Sequence, residues 1–251
     1  MFQMVRRNFI LYYQQTLLGP LWMLISPLLT VLVYMLIFSR VMKVPTEGMP
    51  PFVFFLSGVT LWTLFTDVLT GTSNILTANA NLFNKVYFPR LVIPFSTTIL
   101  HLLRFTIQLG ILLLVLVYYH FSGELNISLF RISLIVPVIL SMTSIALGAG
   151  LLFSIVTAKY KDISNIIGLM TRLLMFICPV FYPVAIIPQD LRFIVYINPL
   201  TTLFENFRFA LTGTGYASTD LLLLSMLISF LVLLGGLLFF NKMSDKLLDV
   251  V

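Results

Sequence analysis

Charge is scarce in this chain. Of its 251 residues, 10% are charged, against about 25% in a soluble domain, while 59% are hydrophobic. That balance excludes a soluble globule and makes the chain an integral membrane protein. A single cysteine, Cys178, leaves nothing for an internal disulfide or a cysteine metal cluster. His101 and His120 are the only histidines, so no metal site is expected. No Gly-x-x-x-x-Gly-Lys-Ser/Thr run occurs, and the chain therefore lacks the phosphate-cradling loop needed to hydrolyse ATP. Gly-x-Ser-x-Gly and His-Glu-x-x-His are missing too. No catalytic residue, bound cofactor or nucleic-acid partner is expected. Inside the apolar runs the ionisable residues are Asp67, Arg104 and Arg172, all placed near cytoplasmic ends. A charge at a helix centre costs about 2.5–3.5 kcal/mol, which favours pairing or snorkelling: Asp67 has Arg104 as a candidate partner, and Arg172 reads as snorkelling. No acid sits at mid-membrane, which counts against ion coupling.

What is abundant is apolar sequence in contiguous runs of spanning length, unlike the short alternating segments of a barrel. The expected fold is all-α, with six transmembrane helices over 21–41, 52–70, 97–119, 132–156, 165–182 and 221–240. Six spans put both termini on one side. That side carries Arg6, Arg7, Lys85, Arg90, Lys159, Lys161, Lys242 and Lys246, against Arg40, Lys43, Arg131, Arg192 and Arg208 opposite. The positive-inside rule then places both termini in the cytoplasm.

Three further segments stand out. Over 1–19, Phe2, Val5, Phe9, Tyr12, Tyr13 and Thr16 share one arc of a helical wheel, which reads as an N-terminal interfacial helix. Residues 77–94 form a polar, basic island within which a short amphipathic helix over 81–88 would be stopped by Pro89. An ordinary tethering loop is the alternative there. Between spans five and six, Pro179, Pro183, Pro188 and Pro199 interrupt an apolar stretch. Broken apolar backbone at membrane depth must be packed in protein or line a cavity, so 183–213 reads as re-entrant or interfacial helices on the outer side. Asn198-Pro199 is a helix start, Gly213 a stop, and Leu200, Leu203, Phe204, Phe207 and Leu211 share a face.

Tyr34 and Phe38 in span one, and Phe54, Phe55, Trp62 and Phe65 in span two, recur near helical spacing. Such faces either pack or offer a sliding surface to sugar rings. Ala146, Gly150 and Ser154 allow close helix approach, within one subunit or between two.

Tyr12-Tyr13-Gln14-Gln15-Thr16-Leu17-Leu18-Gly19-Pro20-Leu21-Trp22, the 81–90 run Asn-Leu-Phe-Asn-Lys-Val-Tyr-Phe-Pro-Arg, Lys159-Tyr160-Lys161-Asp162-Ile163 and Asn198-Pro199-Leu200-Thr201 together resemble the transmembrane subunits of ABC-2 type polysaccharide exporters. The resemblance covers essentially the whole chain. It implies a coupling helix made of Asn81, Leu82, Phe83, Asn84, Lys85, Val86, Tyr87 and Phe88, seated on an ATPase subunit with Arg6 and Arg7 of the interface helix beside it. Lys159, Tyr160, Lys161 and Asp162 would contact the ATPase or a lipid pyrophosphate headgroup. The family has arginines at that turn, and lysine keeps the charge but loses the bidentate fork. The resemblance further implies a homodimer with two nucleotide-binding subunits that use ATP and Mg, a lipid-linked glycan substrate such as O-antigen, outer gate helices over 183–213, and a bacterial inner-membrane location. Under it the aromatic residues gain weight as a glycan path. An ABC-2 exporter of drugs or small lipids, and an ion-coupled secondary carrier, are the alternatives.

Overall fold

The computed structural model describes Val5 and residues 19–78, 90–125, 128–160, 162–215 and 218–247. Most of the interface helix expected over 1–19, including Arg6 and Arg7, lies outside the described residues, as do the coupling helix over 81–88 and Lys161. Every regular element among the described residues is a helix, and five helices are long and apolar enough to cross a membrane. A helix satisfies its backbone internally, which hydrocarbon demands.

Helix α1, Trp22–Tyr34, passes through Pro27 and continues as a π-helical segment, Met35–Val41. Helix α2 is Pro51–Ser73, opened by its own proline. Helix α3 is Val92–Phe121 and α4 is Ile135–Lys159. Helices α2 and α3 outrun the expected 52–70 and 97–119, and hydroxyls near those ends bond back onto the preceding turn. Thr72 donates to the Val68 carbonyl at 2.6 Å, Ser96 to that of Val92 at 2.6 Å and Thr98 to that of Pro94 at 2.9 Å.

Helix α5, Asp162–Ile177, has 16 residues. At 1.5 Å per residue it spans about 24 Å, short of a ~30 Å hydrocarbon core. The continuous span expected over 165–182 therefore ends early. Pro179 disfavours helix at Cys178, and the Tyr182 hydroxyl donates to the carbonyls of Phe176 and Ile177 at 2.9 and 3.0 Å, holding the end.

The broken segment then forms α6, Gln189–Ile197, and α7, Pro199–Thr212. The Leu200 N–H donates to Asn198 Oδ1 at 3.1 Å, Pro199 occupies the first turn, and Gly213 ends the helix at φ 76°, as the sequence pattern implies. Asn198→Ala is expected to cost about 1 kcal/mol, read as a lower unfolding midpoint in detergent; an unchanged midpoint would show the cap to be idle. Helix α7 is buried on nearly all sides and packs against α4, α8 (Thr219–Leu247) and α2.

Helices α4 and α8 make the most extensive contact. They meet backbone to backbone, because a Cβ on Gly148 would lie 2.5 Å from the Val232 carbonyl oxygen and one on Gly236 would strike Gly148. Ala146, Gly150 and Ser154 are buried within the protomer, and a Cβ at Gly150 would collide with Thr72 of α2. The small-residue stripe therefore serves packing inside one subunit.

Candidate functional site

A cavity of about 470 Å³ opens between α1, α2 and α3, with Met175 of α5 and Val180 completing its wall. Trp22 and Tyr34 reach it from α1, Trp62, Thr63 and Asp67 from α2, and Arg104 and Gln108 from α3. Its polar groups come from helix interiors. Because α3 starts at Val92, Arg104 is its thirteenth residue, about 18 Å along the axis from that end. Arg104 and Gln108 are each 7% exposed. Gln108 Nε2 donates to the Met23 carbonyl at 3.5 Å, a long bond between α3 and α1. The carboxylate of Asp67 lies 3.7 Å from His101 Nδ1. Asp67 thus meets His101, one turn earlier on α3 than Arg104, and Asp67 and Arg104 share the cavity wall.

The six aromatic residues picked from the sequence do not share one open face. Tyr34 and Trp62 line the cavity. Phe38 stacks on Phe181 at 5.0 Å between centroids, and Tyr34 meets Phe181 edge-on at 4.4 Å, so the aromatic end of α1 closes on the unwound stretch after α5. Phe54, Phe55 and Phe65 are buried inside the protomer, Phe54 against Phe55 at 5.4 Å and Phe65 against Trp62 at 5.3 Å. Helix α2 is packed by α1, α3, α4, α5 and α7, which leaves its aromatics little outward surface.

Lys159, Tyr160 and Asp162 come together, exposed, at the turn between α4 and α5, with the Lys159 ammonium 5.1 Å from the Tyr160 ring centroid. Asp162 occupies the first turn of α5, where a carboxylate is favoured by the helix dipole. Arg172 is exposed on α5.

Reading from sequence missed Arg208. It was counted with the outer surface charges, yet it is 2% exposed. Its guanidinium carbon sits 3.8 Å from the centroid of Phe54, Nη2 donates to the Val180 carbonyl at 2.8 Å, and Nη1 is 3.5 Å from Glu205 Oε1. Its Nε has no hydrogen-bond partner among the described residues. Gly58 makes the approach possible, since a Cβ there would lie 2.5 Å from the Val180 carbonyl oxygen and 3.1 Å from Arg208 Nη2. Burial lowers the guanidinium to about 10, opposed by the Glu205 and Glu47 carboxylates. One guanidinium thereby joins α7 to α2 and to the unwound stretch. The signal was there: Phe204, Arg208 and Leu211 follow helical spacing, so Arg208 falls inside the apolar stripe assigned to the core.

Residues 1–212 match the family described as ABC-2 type transporter. The chain is similar to an O-antigen export system permease protein, RfbA, of Klebsiella pneumoniae, at 26% identity over 239 residues covering 95% of this chain and 90% of that one. It is similar to the protein of the same name from Myxococcus xanthus, at 26% identity over 208 residues, 82% of this chain and 77% of that one. The polysialic acid transport protein KpsM of Escherichia coli is 27% identical over 207 residues, 80% of this chain and 76% of the relative.

Proposed function

This chain belongs to the ABC-2 type transporter family, and we propose that within it the chain is the channel-forming permease subunit of an exporter that moves a lipid-linked polysaccharide outward across the bacterial inner membrane. The observation that carries the reading is similarity along most of the chain to O-antigen export system permease proteins and to a polysialic acid transport protein. Because the chain carries no phosphate-cradling loop, this reading gives ATP, with its Mg, to a partner subunit. In this reading two copies line the path, two ATPase subunits sit beneath them, and both termini face the cytoplasm.

The mechanism follows from stiffness. Closure of the ATPase dimer displaces the coupling helix over 81–88, assisted by Arg6 and Arg7 and by the exposed turn at Lys159, Tyr160, Lys161 and Asp162. Helix α2, packed on all sides, transmits the displacement as a rigid rod, and Arg208 hands it to α7 at the outer gate. Tyr34 and Trp62 present aromatic surface to the polymer, with Phe38 above them. Phe54, Phe55 and Phe65 stiffen the rod.

Purification of the tagged chain from its native membrane in mild detergent tests this reading. A soluble partner bearing a phosphate loop should accompany it, with ATP hydrolysis that Tyr87→Ala or Phe88→Pro uncouples from export while the chain still folds. A chain that purifies alone from membranes where it works, or export untouched by those changes, would end it.

A further inference from the structure

Helix α5 buries only Ile167 and Thr171, and both line a second cavity, of about 270 Å³, enclosed by α2, α4, α5 and the start of α7. Voids larger than a water molecule are few in a close-packed interior, so the inward face of α5 meets a space where a packed side chain would be expected. Among the described residues no charged group lines that space, and its polar side chains are Thr171 and Asn198. Both are engaged. The Thr171 hydroxyl donates to the Gly168 carbonyl at 2.9 Å, and Asn198 accepts from the Leu200 N–H at 3.1 Å and donates to Cys178 Sγ at 3.4 Å. Water gains little in such a cavity, whereas an apolar guest loses nothing on entering it. The wall reaches the outer surface at Met170, exposed on α5, and at Ala149 and Phe153, half-buried on α4.

We propose that this cavity holds an acyl chain of a membrane phospholipid, entering between α4 and α5. The proposal needs only a chain inserted in a bilayer and goes beyond the permease reading without resting on it. The mouth opens beside exposed apolar side chains, Leu152 and Val156 on α4 and Leu169 on α5, which in a bilayer face hydrocarbon. The occupant is therefore continuous with the lipid already at that surface, and an uncharged chain matches an uncharged lining. Abundance then selects it. A wall whose polar groups are spent cannot recognise a headgroup or a ring, so mass action fills the space with the commonest alkyl chain of the bilayer. Seated there, the acyl chain touches Phe65 and Leu69 of α2, Leu174 of α5 and Leu200 at the start of α7. It is the packing partner of α5, most of whose other apolar side chains, Leu173 and Phe176 among them, point outward.

Photolabelling tests this. The full chain, with whatever co-purifies, is placed in nanodiscs of phosphatidylethanolamine and phosphatidylglycerol that include a phospholipid with a diazirine midway along its acyl chain, and labelled residues are located by mass spectrometry. Surrounding lipid labels any exposed position, so the diagnostic ones are Phe65 and Leu69, 3% and 5% exposed on α2. Both should be labelled in the parent and unlabelled in Ala149→Phe, whose ring fills the cavity and removes no side-chain atom. Labelling of Leu231, exposed on α8, should persist in both. Thr171→Val removes a hydroxyl that the acyl chain does not use and should keep the label at Phe65 and Leu69. Where Ala149→Phe does not fold, Ala149→Leu makes the same test. No label at Phe65 and Leu69 in the parent overturns the proposal, whether a side chain from a second copy fills the space or the helices close over it. Label that survives the filling variant overturns it too. Loss of the label on adding a polyprenyl phosphate at a small mole fraction would give the cavity to that chain and end the phospholipid assignment. None of these outcomes bears on the ATPase partner, whose absence on purification tests the permease reading separately.

Discussion

Arg208→Ala is expected to lower the stability of the folded chain by about 3–5 kcal/mol, the usual cost of removing one partner from a buried ionic pair. Three contacts end together: the cation–π contact with Phe54, the bond to the Val180 carbonyl and the approach to Glu205. Glu205, 3% exposed, would keep its charge without the guanidinium beside it, and the Val180 carbonyl would lose its donor. Arg208→Lys preserves charge but not the fork that reaches two acceptors from one plane, so it should recover only part of the loss. The double variant Glu205→Gln/Arg208→Met should be more stable than Arg208→Ala, because the buried carboxylate that faces the guanidinium is neutralised together with it. Denaturant unfolding in detergent measures all three. Equal midpoints for Arg208→Ala and the parent would show that the pair carries no stability. If the parent and Arg208→Lys fold alike but only the parent exports, Arg208 is the mechanical link between α2 and the gate helix.

Gly235→Ala and Gly236→Ala, adjacent on α8, are expected to act in opposite directions. A Cβ at Gly235 meets nothing within 4 Å, so alanine there should stabilise the helix by about 0.5–1 kcal/mol through its lower conformational entropy in the unfolded chain. At Gly236 the same methyl would strike the backbone of Gly148 on α4, and backbone cannot rotate away as a side chain can. The helices would have to separate along their most extensive contact, a loss of about 1–3 kcal/mol or more. Gly148→Leu should be worse still. Its Cβ would sit 2.6 Å from the Val232 carbonyl carbon and 2.7 Å from the Leu233 Cα, so little folded protein should be recovered after gel filtration. If both alanine variants stabilise, α4 and α8 do not touch as described.

Much was legible in the sequence, for reasons that need no partner. Charge at 10% over 251 residues forces the chain into a membrane, and hydrocarbon then forces helices, because nothing else satisfies the backbone there. Asn198, Pro199 and Gly213 mark their helix by local chemistry alone: an oxygen for an orphan N–H, a preset φ, a tolerated positive φ. Span ends were less legible, because serine and threonine can cap a helix or bond back along it, and only the continuing chain decides.

Tertiary structure decided the site. Helical spacing says which residues share a face, but α2 has neighbours on nearly every side, so its aromatics Phe54, Phe55, Trp62 and Phe65 are all buried in the protomer, Trp62 at the edge of the cavity that Tyr34 also lines. Arg208 was counted as a surface charge because loops carry charge; its burial depends on a carbonyl released by the unwinding at Cys178–Val180, a ring from α2, and the space left by Gly58. These groups are 28 residues or more away along the chain, and a buried charge is tolerated only where such distant groups converge to hydrogen-bond and shield it.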